Sequence, residues 1–388
     1  MSLVPGPLAL YIHIPWCVRR CPYCDFNSHQ RPTELPVAEY VAALVRDLEF
    51  ELPSVWGRTV HSVFFGGGTP SLFPASAIND ILAACSARLR FAPGAEVTLE
   101  CNPGTAEFDR FEGYRAAGVN RLSFGVQSFD DGCLQALGRI HDSGEAERAV
   151  KLAQDAGLAN LNIDLMFALP NQTLAMALHD VERAIALQPA HLSHYHLTME
   201  PNTVFAAKPP QGLPDEDSAW AMQEACQQRM SDAGFGHYEI SAYAKPGRQC
   251  RHNLAYWTYA DYLGLGAGAH GKISFGHDGR ILRRWKKRNP REYLAAFAPG
   301  AAEGGHLGGE EDVLLPARPF DYMLNRLRLH APFALADFEQ ATGLPRSAIA
   351  DGLATAEQRG WLEGNGEVYA LTAQGRNFNN DLVSLFLH

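Results

Sequence analysis

Three cysteines stand at Cys17, Cys21 and Cys24, a C-x3-C-x2-C triplet within the run YIHIPWCVRRCPYCDF. No other feature constrains the fold as strongly, because the chain must bring three thiolates to one place and keep them accessible. Thiolates select soft or borderline metals such as iron and zinc. A structural zinc site takes four protein ligands, and here the fourth would have to be His13 or His29. A cubane iron–sulfur cluster has four irons, so three cysteines leave one iron open to a small chelating molecule. The cluster is the reading adopted for this triplet. The five remaining cysteines, Cys85, Cys101, Cys133, Cys226 and Cys250, are scattered and read as core residues. They form no disulfide framework, and a thiolate-held cluster needs a reducing compartment, so a cytoplasmic location is expected.

The chain has 388 residues, of which 46% are hydrophobic. That is enough for a large core and two or three domains. No apolar run reaches membrane-spanning length. The N-terminal MSLVPGPLALYIHIP lacks a basic head and carries three prolines, so it does not read as a secretory signal. The formal charge of −10 argues against nucleic-acid binding, which depends on neutralising phosphates.

The first half alternates strand and helix. LALYIHIP is an apolar run of strand length, and Val37 to Leu52 carries a helical stripe. HSVFF, EVTLE, RLSFGVQ, LNIDLMFAL and HLSHYHLTM are further strands. Helices are expected over Ser76–Arg90, Ala106–Ala117 (stopped by Gly118), the stretch through Ala156, and Thr173–Leu187. Such alternation implies a parallel sheet with right-handed crossovers, and six units fit a partial (β/α)6 barrel of the α/β class. The polar residues fall where a barrel puts its chemistry. The cysteines follow strand one and GGGTP follows strand two. Glu100 ends strand three, Gln127 ends strand four, and Asp164 lies within strand five. In strand six, His194 and His196 share one face and His191 takes the other; these histidines read as a polar lining.

Beyond residue 200 a Pro-rich connection leads to helix Ser218–Ala233 and strand HYEISAY, which extend the sheet. GLGAGAHGKI is a glycine-rich turn. RILRRWKKRNPR is a basic stretch that could face solvent, or attract carboxylates or an anionic membrane surface. From Pro316 onward, FALADFEQATGLP and AIADGLATAEQRG read as helices and WLEGNGEVYALT as a hairpin, together a winged-helix-like C-terminal domain. Residues 331–388 hold seven acidic and three basic side chains, so a lid or docking role fits better than DNA binding. The expected domains are 1–200, the barrel; 201–315, its extension; and 316–388, the C-terminal domain.

YIHIPWCVRRCPYC, FFGGGTPS, EVTLECNP, RLSFGVQSF and LGRIH resemble the oxygen-independent coproporphyrinogen oxidase family of the radical S-adenosylmethionine (SAM) superfamily, over nearly the whole chain. The resemblance implies a [4Fe–4S] cluster on Cys17, Cys21 and Cys24, with SAM on its open iron. It places Tyr11 in the SAM site, Gly67, Gly68 and Thr69 at the methionyl amine, and the backbone of Tyr23 at the adenine. It gives Glu100, Gln127, Arg139 and Asp164 the nucleoside and carboxylate ends.

One departure changes the expected function. The oxidases carry a fourth cysteine two residues after the third, where this chain has Phe26. CRHNLAYW at 250–257 resembles the H-N-x-x-Y-W signature of the branch described as heme chaperones. The oxidases are also expected to carry a longer segment before strand one. The resemblance then implies heme as a third ligand and hemoproteins as recipients, with His252 as a heme ligand and Tyr256 and Trp257 covering the porphyrin. A core-packed loop or hairpin is the alternative for that motif, and Cys250 is a competing ligand. A peripheral membrane contact and a homodimer are left open. The alternative function is oxidative decarboxylation of coproporphyrinogen III to protoporphyrinogen IX.

Overall fold

The structure is a computed structural model that describes residues 3–104 and 110–387. Its first half is built on strands β1 (Leu8–Ile14), β2 (Thr59–Gly67), β3 (Arg90–Cys101), β4 (Arg121–Gln127), β5 (Leu161–Phe167) and β6 (His191–His196). Each pairs in parallel with the next. β1 is buried along nearly its whole length, as a strand covered on both faces must be, which is why its sequence runs apolar rather than alternating. Helices Val37–Val55, Ala75–Arg88, Ser143–Asp155 and Leu174–Ala186 return the chain between strands. Local chemistry sets their starts: Asp142 and Glu145 form a capping box, and the Thr173 side chain accepts from the Met176 N–H. The expected helix Ala106–Ala117 is described over Phe111–Ala116; residues 105–109 lie outside the described residues.

The sheet extends past both barrel edges. HYEISAY is not one strand. It is an antiparallel pair, β7 (Gly236–Glu239) and β8 (Ala242–Ala244), that adds to β6. On the other edge β9 (Asp261–Leu265) pairs in parallel with β1 and is followed by antiparallel β10 (His270–Phe275), β11 (Arg280–Lys286) and β12 (Leu307–Asp312). The result is a twelve-stranded sheet in the order β12-β11-β10-β9-β1-β2-β3-β4-β5-β6-β8-β7.

This extension corrects the reading of the basic stretch. RILRRWK is a central strand of the extension, and its charges are engaged. Lys286 is buried against Asp47 (2.7 Å) and Glu51. Arg284 reaches Glu51 (2.7 Å) and Glu310 (2.8 Å), and Arg283 reaches Asp321 (2.6 Å). These residues are therefore not free to receive carboxylates or a membrane surface. No helix among the described residues is long and apolar enough to cross a membrane.

The C-terminal segment has its own core around Tyr322, Met323, Phe338, Leu353 and Phe386. Helices Leu335–Thr342 and Ala350–Gln358 lie between the first strand and the last two of a three-stranded sheet, whose order is Phe333–Ala334, Val368–Leu371, Leu362–Gly364. Tyr259 and Ile281 of the sheet extension join this core, which ties the two regions together.

Candidate functional site

The C-terminal end of β1 leads directly into the cysteine loop. Gly68 N–H donates to Ile14 O (2.8 Å) and Thr69 N–H to Trp16 O (2.8 Å), which clamps the glycine turn after β2 against the start of the loop. A side chain at Gly68 would put its Cβ 2.6 Å from Trp16 O, and Gly67 has φ +116 with His13 at 2.6 Å. Both positions therefore require glycine. The far end of the loop is pinned by Asn27, whose Nδ2 donates to Ala267 O (3.0 Å) and Arg288 O (2.9 Å). The three thiols are partly exposed between these anchors.

The zinc alternative loses its fourth ligand here. His13 Nδ1 lies 3.0 Å from the Tyr11 hydroxyl and Nε2 lies 2.8 Å from Asn27 O. His29 Nε2 lies 3.2 Å from Arg288 O and 3.3 Å from Asn27 Oδ1. Burial also pushes the Cys17 thiol up to about 11, so metal binding there must displace protons.

A single cavity of about 580 Å³ opens beneath the loop. Cys17, Cys21, Cys24, Tyr11, Tyr23, Gly67, Gly68, Thr69, Glu100, Gln127, Arg139, Asp164 and His252 all line it, while Trp257, expected to cover a porphyrin, does not. Gly67 N–H donates to Glu100 Oε2 (3.2 Å). Burial, reinforced by Asp164, raises the Glu100 carboxyl to about 8. Asp164 accepts from Ser123 Oγ (3.2 Å) and Asn162 Nδ2 (2.7 Å), yet burial still raises it. Two half-buried acids with spare acceptors suit a cationic or hydroxyl-bearing ligand. Arg139 donates to Asn102 Oδ1 and Gly125 O, and Nη1 lies 3.6 Å from Cys21 Sγ. Its Nε is buried with no hydrogen-bond partner among the described residues, a donor that a carboxylate would satisfy. Gln127 adopts φ +73 where β4 bulges between Gly125 and Gln127, a strained backbone of the kind found where a side chain is aimed at a ligand.

The H-N-x-x-Y-W motif is neither loop nor hairpin. Residues Arg251–Trp257 form a helix that packs inside the barrel against β2. Glu96 Oε1 caps its start by accepting from the N–H of Arg251 (2.9 Å) and His252 (3.3 Å). His252 is 1% exposed, and its ring stacks on Phe64 with centroids 5.0 Å apart. Its Nδ1 lies 3.1 Å from Ser62 Oγ and its Nε2 3.0 Å from the Tyr256 hydroxyl. Burial lowers it to about 3, which keeps the imidazole neutral. Both ring nitrogens are engaged within the chain. Cys250 is equally buried. The strand-six histidines divide. His191 bonds Asn162 and Tyr238, His194 stacks on Phe167 outside the cavity lining, and His196 is exposed at the cavity rim.

The motifs did not single out Asn102, Arg121, Asn162 and Tyr195, which also line the cavity. The signal for three of them was strand alternation. Arg121 shares parity with Ser123, Asn162 with Asp164, and Tyr195 with Ser193, all on inward faces.

A model of the radical SAM superfamily matches residues 11–184, and one of the HemN C-terminal domain matches residues 315–378. The heme chaperone HemW of Escherichia coli is 48% identical over 381 residues, 98% of each chain. That of Haemophilus influenzae is 47% identical over 385 residues, again 98% of each chain. This chain belongs to the HemW family. The superfamily match implies a [4Fe–4S] cluster and SAM as cofactors. Among solved structures, the E. coli coproporphyrinogen III oxidase HemN, described as a radical SAM enzyme, superposes with a TM-score of 0.82 over 99% of this chain and 90% of its own at 23% identity, a likeness of fold. The radical SAM barrel with a helical C-terminal domain is thereby established.

Proposed function

We propose that this HemW-family protein is a heme chaperone that binds heme beside a [4Fe–4S] cluster and SAM and delivers the heme to recipient hemoproteins in the cytoplasm. The observation that carries this reading is Phe26. It occupies the position where the oxidases have a fourth cysteine, and it stands 58% exposed at the cavity rim. A thiol there could take part in chemistry; a phenyl ring offers only an apolar contact. The full-length likeness to two heme chaperones supports the same reading.

Cys17, Cys21 and Cys24 would hold three irons of the cluster, which when bound supplies a fourth, open iron for SAM. The turn Gly67-Gly68-Thr69 would receive the methionyl amine and Arg139 the carboxylate. Glu100, Gln127 and Asp164 would face the nucleoside and amine groups, with Tyr11 and Tyr23 closing the site. Heme would contact the motif helix near Tyr256, and iron ligation by His252 would require Nε2 to release the Tyr256 hydroxyl. His196 is the exposed imidazole of the same cavity and forms the comparison arm. Heme transfer from the loaded protein to an apo-hemoprotein, run beside a coproporphyrinogen III assay, tests the function. Transfer without decarboxylation is expected, and SAM-dependent formation of protoporphyrinogen IX would overturn it.

A further inference from the structure

The barrel floor contains a buried cation that lacks the partners it needs. Arg121, the first residue of β4, is 2% exposed and lines the cavity below Ser123. Its Nε and Nη1 have no hydrogen-bond partner among the described residues. The acid facing it, Glu96, keeps Oε2 3.9 Å away, an ion pair beyond hydrogen-bonding range, while its Oε1 accepts from the start of the motif helix. Thr98 sits opposite Arg121 in the β3–β4 register, and its Oγ1 is also buried with no partner among the described residues.

The neighbours on the other side are satisfied among themselves. Asn162 Nδ2 donates to Ser123 Oγ (2.7 Å) and Asp164 Oδ1 (2.7 Å). Asn162 Oδ1 lies 2.6 Å from His191 Nδ1, and His191 Nε2 lies 2.8 Å from the Tyr238 hydroxyl. None of them turns an acceptor to Arg121. A buried guanidinium with idle N–H groups is costly, and a carboxylate is the strongest acceptor for such a donor.

We infer that the barrel floor is a second carboxylate subsite built on Arg121, separate from the methionyl carboxylate position at Arg139. Its ligand is an organic carboxylate, arriving either as the propionate arm of a porphyrin or as a free small carboxylate. The first source rests on the heme-chaperone reading; the second does not.

The test uses the full-length, cluster-loaded protein with SAM present. Heme and heme dimethyl ester are titrated into wild type, Arg121→Gln and Arg121→Lys. In parallel, the rise in Tm with added sodium propionate is measured against sodium chloride at equal ionic strength. If a porphyrin arm is the ligand, esterification weakens binding to wild type by about 10-fold or more. Arg121→Gln then erases that preference while SAM affinity stays within about 2-fold, and Arg121→Lys retains part of it. If a free carboxylate is the ligand, heme and its ester bind alike or not at all, and propionate raises the Tm of wild type but not of Arg121→Gln. The wild-type comparisons need no variant to fold. No ester preference and no propionate effect in wild type would overturn the subsite. Failure of wild type to bind heme at all, with the propionate effect intact, would count against the chaperone reading and leave the subsite standing.

Discussion

Two buried charged regions of this molecule have opposite characters. In the sheet extension, Asp47, Glu51, Arg284, Lys286 and His306 interlock, each with an opposite or potentially opposite charge within 3.2 Å. Burial alone would raise Asp47, yet Lys286 and His306 hold it down at about 2. In the barrel cavity the charges are only partly answered. Glu100 is raised to about 8, and Arg121 and Arg139 keep idle N–H groups. Charge answered within the chain marks architecture, and charge left without partners marks a place for something else.

The largest effect separating the two regions should come from the cluster loop. Reconstituted wild type should carry about four iron and four sulfide per chain, and the Cys17→Ser, Cys21→Ser, Cys24→Ser variant almost none. Full cluster content in that variant would remove the assignment. In the sheet extension, Lys286→Met should destabilise the fold by roughly 3–5 kcal/mol, because it removes the buried cation that Asp47 and Glu51 share and leaves two buried acids with too little positive charge between them. Arg291→Met, in the same basic stretch but exposed, should stay within about 0.5 kcal/mol. Chemical denaturation reads both, and equal effects would erase the contrast.

Within the cavity, Asp164→Ala or Arg139→Ala should weaken SAM binding by roughly 1.5–3 kcal/mol, about 10- to 150-fold, with the fold intact. Calorimetric titration that finds affinity unchanged in both would take them out of the SAM site.

A further effect is a pH dependence. The folded Glu100 pKa of about 8 lies above its ordinary value of 4.5. Its contribution to stability is therefore fully present below about pH 4.5 and is lost as pH rises through about 8. Relative to wild type lacking cofactors, Glu100→Gln should gain thermal stability as pH rises from about 5 to about 9. A constant difference across that range would mean Glu100 titrates normally.

The sequence displayed the cavity better than the extension. RLSFGVQ reads as a strand and is one over the same residues, Arg121–Gln127, because Leu122, Phe124 and Val126 alternate with more polar or smaller residues over strand length. The cysteine spacing and GGGTP are local patterns whose partners are close in sequence. Lys286 and Glu51 are 235 residues apart, so nothing local distinguished a buried ion pair from a basic surface. The motif helix was missed for a related reason. Its seven residues are too few for a periodic signal, and its cap is Glu96, far upstream. The idle donors of Arg121 are visible only once its neighbours are seen to be satisfied.

The central claim is that this cavity serves a heme chaperone, and the most direct measurement is a heme titration of the anaerobically reconstituted protein followed in the Soret band. The account predicts saturable binding with a band distinct from free heme, in a protein that retains its cluster. A Soret band that stays that of free heme across the titration, in cluster-loaded protein, would contradict it.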